Sequence, residues 1–489
     1  MSQNNKSNFN QALWLGIGQL CTFAIAFFTA PILARYFDKV EYATYRQVLY
    51  VFSCIQALFT MGLPNVFVYF IPRLTERQQK AFINRLTFYF IIIGIVLSAT
   101  IYISADIIAD LLNNKELSVG LKIFSPFPLF TLPSIGVEGI YTAIRKTKWV
   151  AFYNIFSKTL MFLCIVLPVV IWHTGYKEAI IGWGVSSFIT FVLAMYMKNL
   201  PYKGIEAEPI PNIDRQIFSY ALPLTGAFIA GFFVNSADQF FVSRYYGPQI
   251  FADFAVGCIS IPIIGMVAGS VKGVLLPLFS KADKDGRLAD VVPVYENAVS
   301  KTAIIVIPVL LFCVVFADDV IVALYGAMYN ESGNYMRVHI IRDFMEILPY
   351  FVLLMAFGFS KMYMYIHIVG GIAILFFDFV AVSVGASPIW IVCVSSLFFV
   401  FARIVTFLVV YRQKGISFFS SPLRNYLIKL IAHCGIVLLA LYVSSIYLPI
   451  DNVFLKLACI GICYIIAIIL SGPYLSLDYL SAIKRLRKN

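Results

Sequence analysis

Charge is what this sequence has least of. Only 13% of its 489 residues are Asp, Glu, Lys or Arg, while 61% are hydrophobic; a soluble chain carries about 25% charged residues. So few charges cannot cover a water-exposed surface of this size. The chain is a multi-span integral membrane protein.

Long polar stretches are scarce as well. The longest connections, 199–216 and 280–298, leave no room for an inserted soluble domain. Cysteine pairs are absent. Cys21, Cys54, Cys164, Cys258, Cys313, Cys393, Cys434, Cys459 and Cys463 lie inside apolar runs without a Cys-x-x-Cys spacing. This argues against a disulfide framework or a zinc site, and even Cys459 and Cys463, on one helix face, read as packing residues. No Gly-x-x-x-x-Gly-Lys-Ser/Thr loop occurs, so direct use of ATP is not expected. Neither a metal nor a cofactor is called for. The polar start "MSQNNKSNFNQ" leads into an apolar run too long for a signal peptide's core, which reads as a first span rather than a cleaved leader.

What the sequence does have is apolar runs of about 20 residues, the length that crosses a bilayer. They fall at 12–34, 46–70, 84–104, 119–142, 151–173, 178–198, 217–245, 253–277, 299–317, 336–358, 362–385, 388–411, 426–447 and 454–473, about fourteen in all. Basic residues alternate between their ends. About 24 stand at one set of ends, among them Arg73, Arg77, Arg145, Lys198, Lys281, Arg412 and Lys484; about 10 stand at the other, among them Arg35, Lys39, Lys115 and Arg337. The richer side is expected to be cytoplasmic, and both termini with it. The net charge of +12 is mostly this bias, so nucleic acid is not an expected partner; anionic lipid is.

The chain also repeats itself. "ARYFDKVEYATY" at Ala34–Tyr45 is echoed by "SRYYGPQIFADF" at Ser243–Phe254. Both stretches sit at the outer end of an odd-numbered span, the first and the seventh. Six crossings preserve direction, so the halves run parallel, as in a duplicated six-helix unit. The expected organisation is all-α: a lobe at 1–198, a cytoplasmic linker at 199–216, a second lobe at 217–411, then helices thirteen and fourteen with a basic tail at 412–489.

These stretches resemble polysaccharide-lipid flippases. "ARYFDKVEYATYRQVLYV" and "SRYYGPQIFADFAVGCIS" resemble the entries to their second and eighth helices. "GIYTAIRKTKWVAFYN" resembles their four-to-five loop, "LLPLFSKADKDGRL" the start of their central loop, and "DDVIVALYGAMYNES" the hairpin after their ninth helix. In order, the matches cover roughly residues 10–360. The family is that of O-antigen-type oligosaccharide flippases, within the multidrug/oligosaccharidyl-lipid/polysaccharide (MOP) exporters. The resemblance implies a V-shaped pair of six-helix lobes. It implies movement of polyprenyl-diphosphate-linked oligosaccharide from the inner to the outer leaflet of a bacterial inner membrane, in company with polysaccharide polymerase or assembly proteins. Lipid II flippases carry arginines in the first helix, and multidrug extruders often carry an acidic residue there. The run Ala12–Ala34 has neither, which favours an oligosaccharide substrate. A multidrug exporter of the same superfamily is the alternative. A membrane polymerase or glycosyltransferase is less favoured, because the outer segments are short.

Ionisable residues inside spans are costly and each needs a reason. For an anionic diphosphate the candidates are Lys158 with Asn154 one turn earlier, Arg35 and Arg244 at the echoed ends, Arg46, Lys272 and Arg403. The plainer reading of Lys158 and Lys272 is snorkelling to the interface, and of Arg403 an ion pair. For ion coupling or gating the candidates are Asp238 with Asn235, the series His339, Asp343 and Glu346 on one face of 336–351, and Asp378. Arg342 is placed to pair with Glu346, and the plainer reading of that segment is a solvated outer helix end. Trp183 and the other tryptophans are read as an interfacial belt, and Glu138 as a contact of a basic loop.

Overall fold

A computed structural model describes residues 2–60, 63, 66–447 and 450–480. Among them every regular element is helical, which is the expected all-α class. The basic tail with Lys484 and Arg485 lies outside the described residues. The chain gathers into two compact units, Met1–Ala252 and Asp253–Asn489.

The first unit holds α1 (Ser2–Tyr36), α2 (Lys39–Phe59), α3 (Val66–Phe70), α4 (Glu76–Leu111), α5 (Glu116–Phe124), α6 (Phe127–Ser134), α7 (Val137–Ala143), α8 (Thr147–Trp172), α9 (Tyr176–Asn199) and most of α10 (Ile213–Gly257). Small residues bring its helices close, as membrane packing requires. A Cβ on Gly18 of α1 would lie 3.0 Å from the Ala151 backbone of α8, and one on Gly182 of α9 would lie 2.1 Å from the Cys164 carbonyl oxygen. At the entry to α10, Arg85 and Tyr89 hydrogen-bond the Asp214 carboxylate and hold it below its usual pKa.

The expected span 119–142 is broken into α5, α6 and α7, with a bend of 46°. Pro126 and Pro133 interrupt its backbone ladder, and Gly136 turns it at φ +107°, with the Phe67 ring where a side chain would be. The break is tied down from α9. The buried Lys198 donates to the Pro133 carbonyl at 2.6 Å and to Thr87 Oγ1 at 3.3 Å. Lys198 is therefore a packed internal donor, not merely part of the cytoplasmic charge bias.

The second unit holds α11 (Pro262–Lys284), α12 (Val291–Val315), α13 (Ala317–Tyr325), α14 (Ser332–Glu346), α15 (Tyr350–Ala356), α16 (Ser360–Ser383), α17 (Ile389–Lys414), α18 (Ser421–Ile446) and α19 (Val453–Ser471). The expected span 336–358 is also broken, at Pro349 between α14 and α15. Here too a buried cation of a later helix ties the break: Arg403 of α17 donates to the Met345 carbonyl at 3.1 Å.

The echoed stretches have the same form. In the first, α1 ends at Tyr36 and Asp38 caps α2, accepting from the amides of Val40 and Glu41. In the second, α10 breaks at Gly247, with φ +81°. The matched positions Thr44 and Asp253 each accept a buried hydrogen bond, from Asn114 at 2.9 Å and from Ser332 at 3.2 Å.

Among the described residues ten helices are long and apolar enough to cross a membrane, or eleven if the bent helix of α5 to α7 is one span. The expected run 217–245 includes side chains that lie outside the described residues, while 46–70 and 336–358 are not single helices. The run 46–70 is cut at Phe59, and 336–358 is split and carries Arg342, Asp343 and Glu346. The run 253–277 is corrected too: the helix stops before Ile261 and restarts at Pro262.

Candidate functional site

A cavity of about 690 Å³ lies within the first unit, inside the range of ~300–1,000 Å³ typical of small-molecule sites. The positions Asn154, Ser157, Lys158 and Met161 of α8 recur at helical spacing and all line it. Across from them stand Ser186, Ser187 and Thr190 of α9. Phe52 and Gln56 of α2 and Thr131 and Ser134 of α6 close it further, and Glu138 of α7 adds a carboxylate.

A smaller cavity of about 150 Å³ adjoins it, lined by Thr29 of α1, Tyr45 and Arg46 of α2, and Phe162 of α8. Lys158, Met161 and Trp183 line both. Trp183 is thus a wall between two cavities and not an interfacial anchor; its indole N–H points to Met161 Sδ at 3.1 Å and its ring stacks on Tyr45. Glu138 likewise faces the cavity.

Of the expected anion ligands, the structure brings Lys158, Asn154 and Arg46 to this one place. Neither Lys158 nor Arg46 has a carboxylate partner among the described residues. An ammonium in an apolar wall without a counter-charge is expensive, and a bound anion removes that cost.

The other basic candidates are engaged. Arg244 donates to the carbonyls of Asp110 at 2.8 Å and Leu111 at 3.0 Å, at the C-terminal end of α4, where the helix dipole favours a cation. Lys272 and Arg403 grip the two oxygens of Glu346, at 2.6 and 2.9 Å. Arg342 hydrogen-bonds the Ser395 hydroxyl, while Arg403 and Lys272 approach Glu346 from α17 and α11. Arg35 is exposed at the end of α1.

The expected solvated helix end is corrected: His339 and Asp343 are buried in the second unit. Asp378 is fully buried on α16. Asp238 is buried on α10 and accepts from the Gln239 amide, while Asn235, exposed, donates to the Gly231 carbonyl. Among the described residues, no cluster of three or more His, Cys, Asp or Glu could hold a metal ion.

Sequence reasoning passed over the hydroxyl-bearing wall of α9. The spacing of Ser186, Ser187 and Thr190 within one apolar run was its available signal.

This is a multi-span, all-α membrane protein with a cationic cavity inside its first unit. Its fold is that of the lipid II flippase MurJ in an inward closed conformation, matched at a TM-score of 0.70 over 95% of this chain and 100% of that one, at 16% identity. The chain belongs to the polysaccharide biosynthesis protein family, whose profile matches residues 32–334. It is similar to the lipopolysaccharide biosynthesis protein WzxC of Escherichia coli (strain K12), 20% identical over 65% of this chain and 63% of that protein. It is also similar to the succinoglycan biosynthesis transport protein ExoT of Rhizobium meliloti (strain 1021), 21% identical over 67% of this chain and 64% of that protein. The matches thus span less than two thirds of either relative's length.

Proposed function

We propose that the protein moves polyprenyl-diphosphate-linked oligosaccharide from the inner to the outer leaflet by alternating access, as a step in making a surface polysaccharide. The reading places it in a bacterial inner membrane with both termini cytoplasmic, working beside polymerase or assembly proteins as a transporter and not an enzyme. A sugar head group cannot cross hydrocarbon unaided, because its hydroxyls would lose their hydrogen bonds. A polar cavity inside the span region supplies replacements.

The observation that carries the reading is Lys158, a cation without a carboxylate partner among the described residues, in a cavity of the first unit beside Arg46 and Asn154. A diphosphate brings about two negative charges that need such partners. A cationic drug would be repelled there, which weighs against the multidrug alternative. Lys158→Ala is expected to lower flipping of the lipid-linked sugar in reconstituted vesicles at least tenfold, at normal abundance, with Lys158→Arg retaining part of the activity. Full flipping by Lys158→Ala would overturn the assignment.

A further inference from the structure

The polar groups of the large cavity are not equivalent. Ser186 and Ser187 both donate to the Trp183 carbonyl, at 2.9 and 2.7 Å, Thr190 donates to the Ser187 carbonyl at 3.0 Å, and Ser134 to the Phe130 carbonyl at 2.8 Å. A hydroxyl has one proton and two lone pairs. With the protons given to their own helices, these four oxygens offer the cavity acceptors only. A wall of acceptors repels phosphate oxygens and suits a ligand that presents many O–H donors. The adjoining small cavity has the opposite character, because its charged lining groups are the cations Arg46 and Lys158. Lys158 and Trp183 stand where the two cavities meet. A second feature points to a ligand in the large one: Thr131 Oγ1 is buried there without a hydrogen-bond partner among the described residues.

We infer that the two cavities are paired subsites of one ligand. The small cavity takes the diphosphate between Arg46 and Lys158. The large cavity takes the first sugar of the glycan, its hydroxyls donating to Ser134, Ser186, Ser187 and Thr190 and one face lying against Trp183. Lys158 stands at the phosphate–sugar junction. This rests on the flippase reading and adds to it the direction in which the head group lies: phosphate toward α1 and α2, sugar toward α6 and α9. It also sets a selectivity rule. A sugar rich in free hydroxyls is held, and one whose hydroxyls are acylated or otherwise blocked is held less well, because it has fewer donors.

The test compares two probes on the purified full-length protein: farnesyl diphosphate, and farnesyl diphosphate carrying a hexose. Two variants, Ser186→Ala with Ser187→Ala, and separately Thr190→Val, remove acceptors with little change of shape. Each lost neutral hydrogen bond is worth about a fivefold change in affinity. The double variant is therefore expected to bind the glycosylated probe about tenfold or more weakly and Thr190→Val about fivefold, with binding of farnesyl diphosphate unchanged. Arg46→Gln is expected to weaken both probes alike. Thermal unfolding in detergent identifies any variant that merely misfolds, and the other variant then decides. Unchanged preference for the glycosylated probe in a folded acceptor variant overturns the subsite and leaves the flippase reading standing. Equal loss of both probes in that variant also overturns the subsite. Binding of neither probe to the native protein overturns the flippase reading and the subsite together.

Discussion

At the scale of single residues, the decisive fact is which intramembrane cations already have partners. Lys158, Lys272 and Arg403 stand well inside their helices. Two of them converge on Glu346, and Arg403 also lies over the Tyr350 ring at 4.3 Å. Removing one partner from a buried pair leaves an uncompensated charge and costs about 3–5 kcal/mol. Glu346→Gln strands two cations at once, Arg403 being almost fully buried. It is expected to destabilise the protein by about 3 kcal/mol, read as a lower midpoint of thermal unfolding in detergent; an unchanged midpoint would refute the role given to this carboxylate. Lys158 was legible in the sequence as an interior cation, and so was Arg403. Their different fates were not, because the pairing depends on α11, α14 and α17 meeting. Sequence spacing offered only the local Arg342 for Glu346, and the partners from α11 and α17 could not be read from it. The acceptor wall was illegible for another reason. A serine in a span reads the same whether its proton goes to the helix or to a ligand.

At the scale of elements, apolar length found the helices and backbone chemistry decided where they stop. The expected spans missed the breaks at Gly136 and Pro349, although the glycine and prolines responsible were in plain view. A run of apolar residues registers hydrophobicity and is indifferent to a lost hydrogen bond. Close helix contact was equally hidden. Gly182 and Gly184 look alike in the sequence of α9, yet a Cβ on the first would meet the Cys164 carbonyl at 2.1 Å and one on the second would meet nothing within 4 Å. A backbone atom cannot yield as a side-chain tip can. Gly182→Ala is therefore expected to push α8 from α9 and destabilise by about 2 kcal/mol or more, while Gly184→Ala is neutral within about 0.5 kcal/mol. Equal thermal midpoints for the two variants would show that the contact does not constrain the helices. Since both α8 and α9 line the large cavity, loss of glycan binding is expected to accompany the first change only.

At the scale of the whole molecule, the echo between Ala34–Tyr45 and Ser243–Phe254 was the most informative reading available. Both copies form a helix end and the start of the next helix, and both bury a polar tie at Thr44 or Asp253. The sequence expectation of two six-crossing repeats followed by two more helices is an even number of crossings, which returns the chain to the side on which it began. Together with the bias of Lys and Arg to one set of ends, this gives the proposed cytoplasmic termini. A fluorescent protein fused after Asn489 is expected to mature and an alkaline phosphatase fused there to stay inactive; the reverse pattern would remove a crossing from the count.

The ties across the two broken helices set an order in time. Pro133 is held by Lys198, 65 positions further on, and Met345 by Arg403, 58 positions further on. A ribosome adds about 5–20 residues per second, so the first break waits roughly 3–13 s for the donor that ties it. Through that interval the nascent first repeat has its fourth helix without the ammonium of its sixth, and the same delay recurs in the second repeat. Each break is thus tied only after a later helix, α9 or α17, has been made.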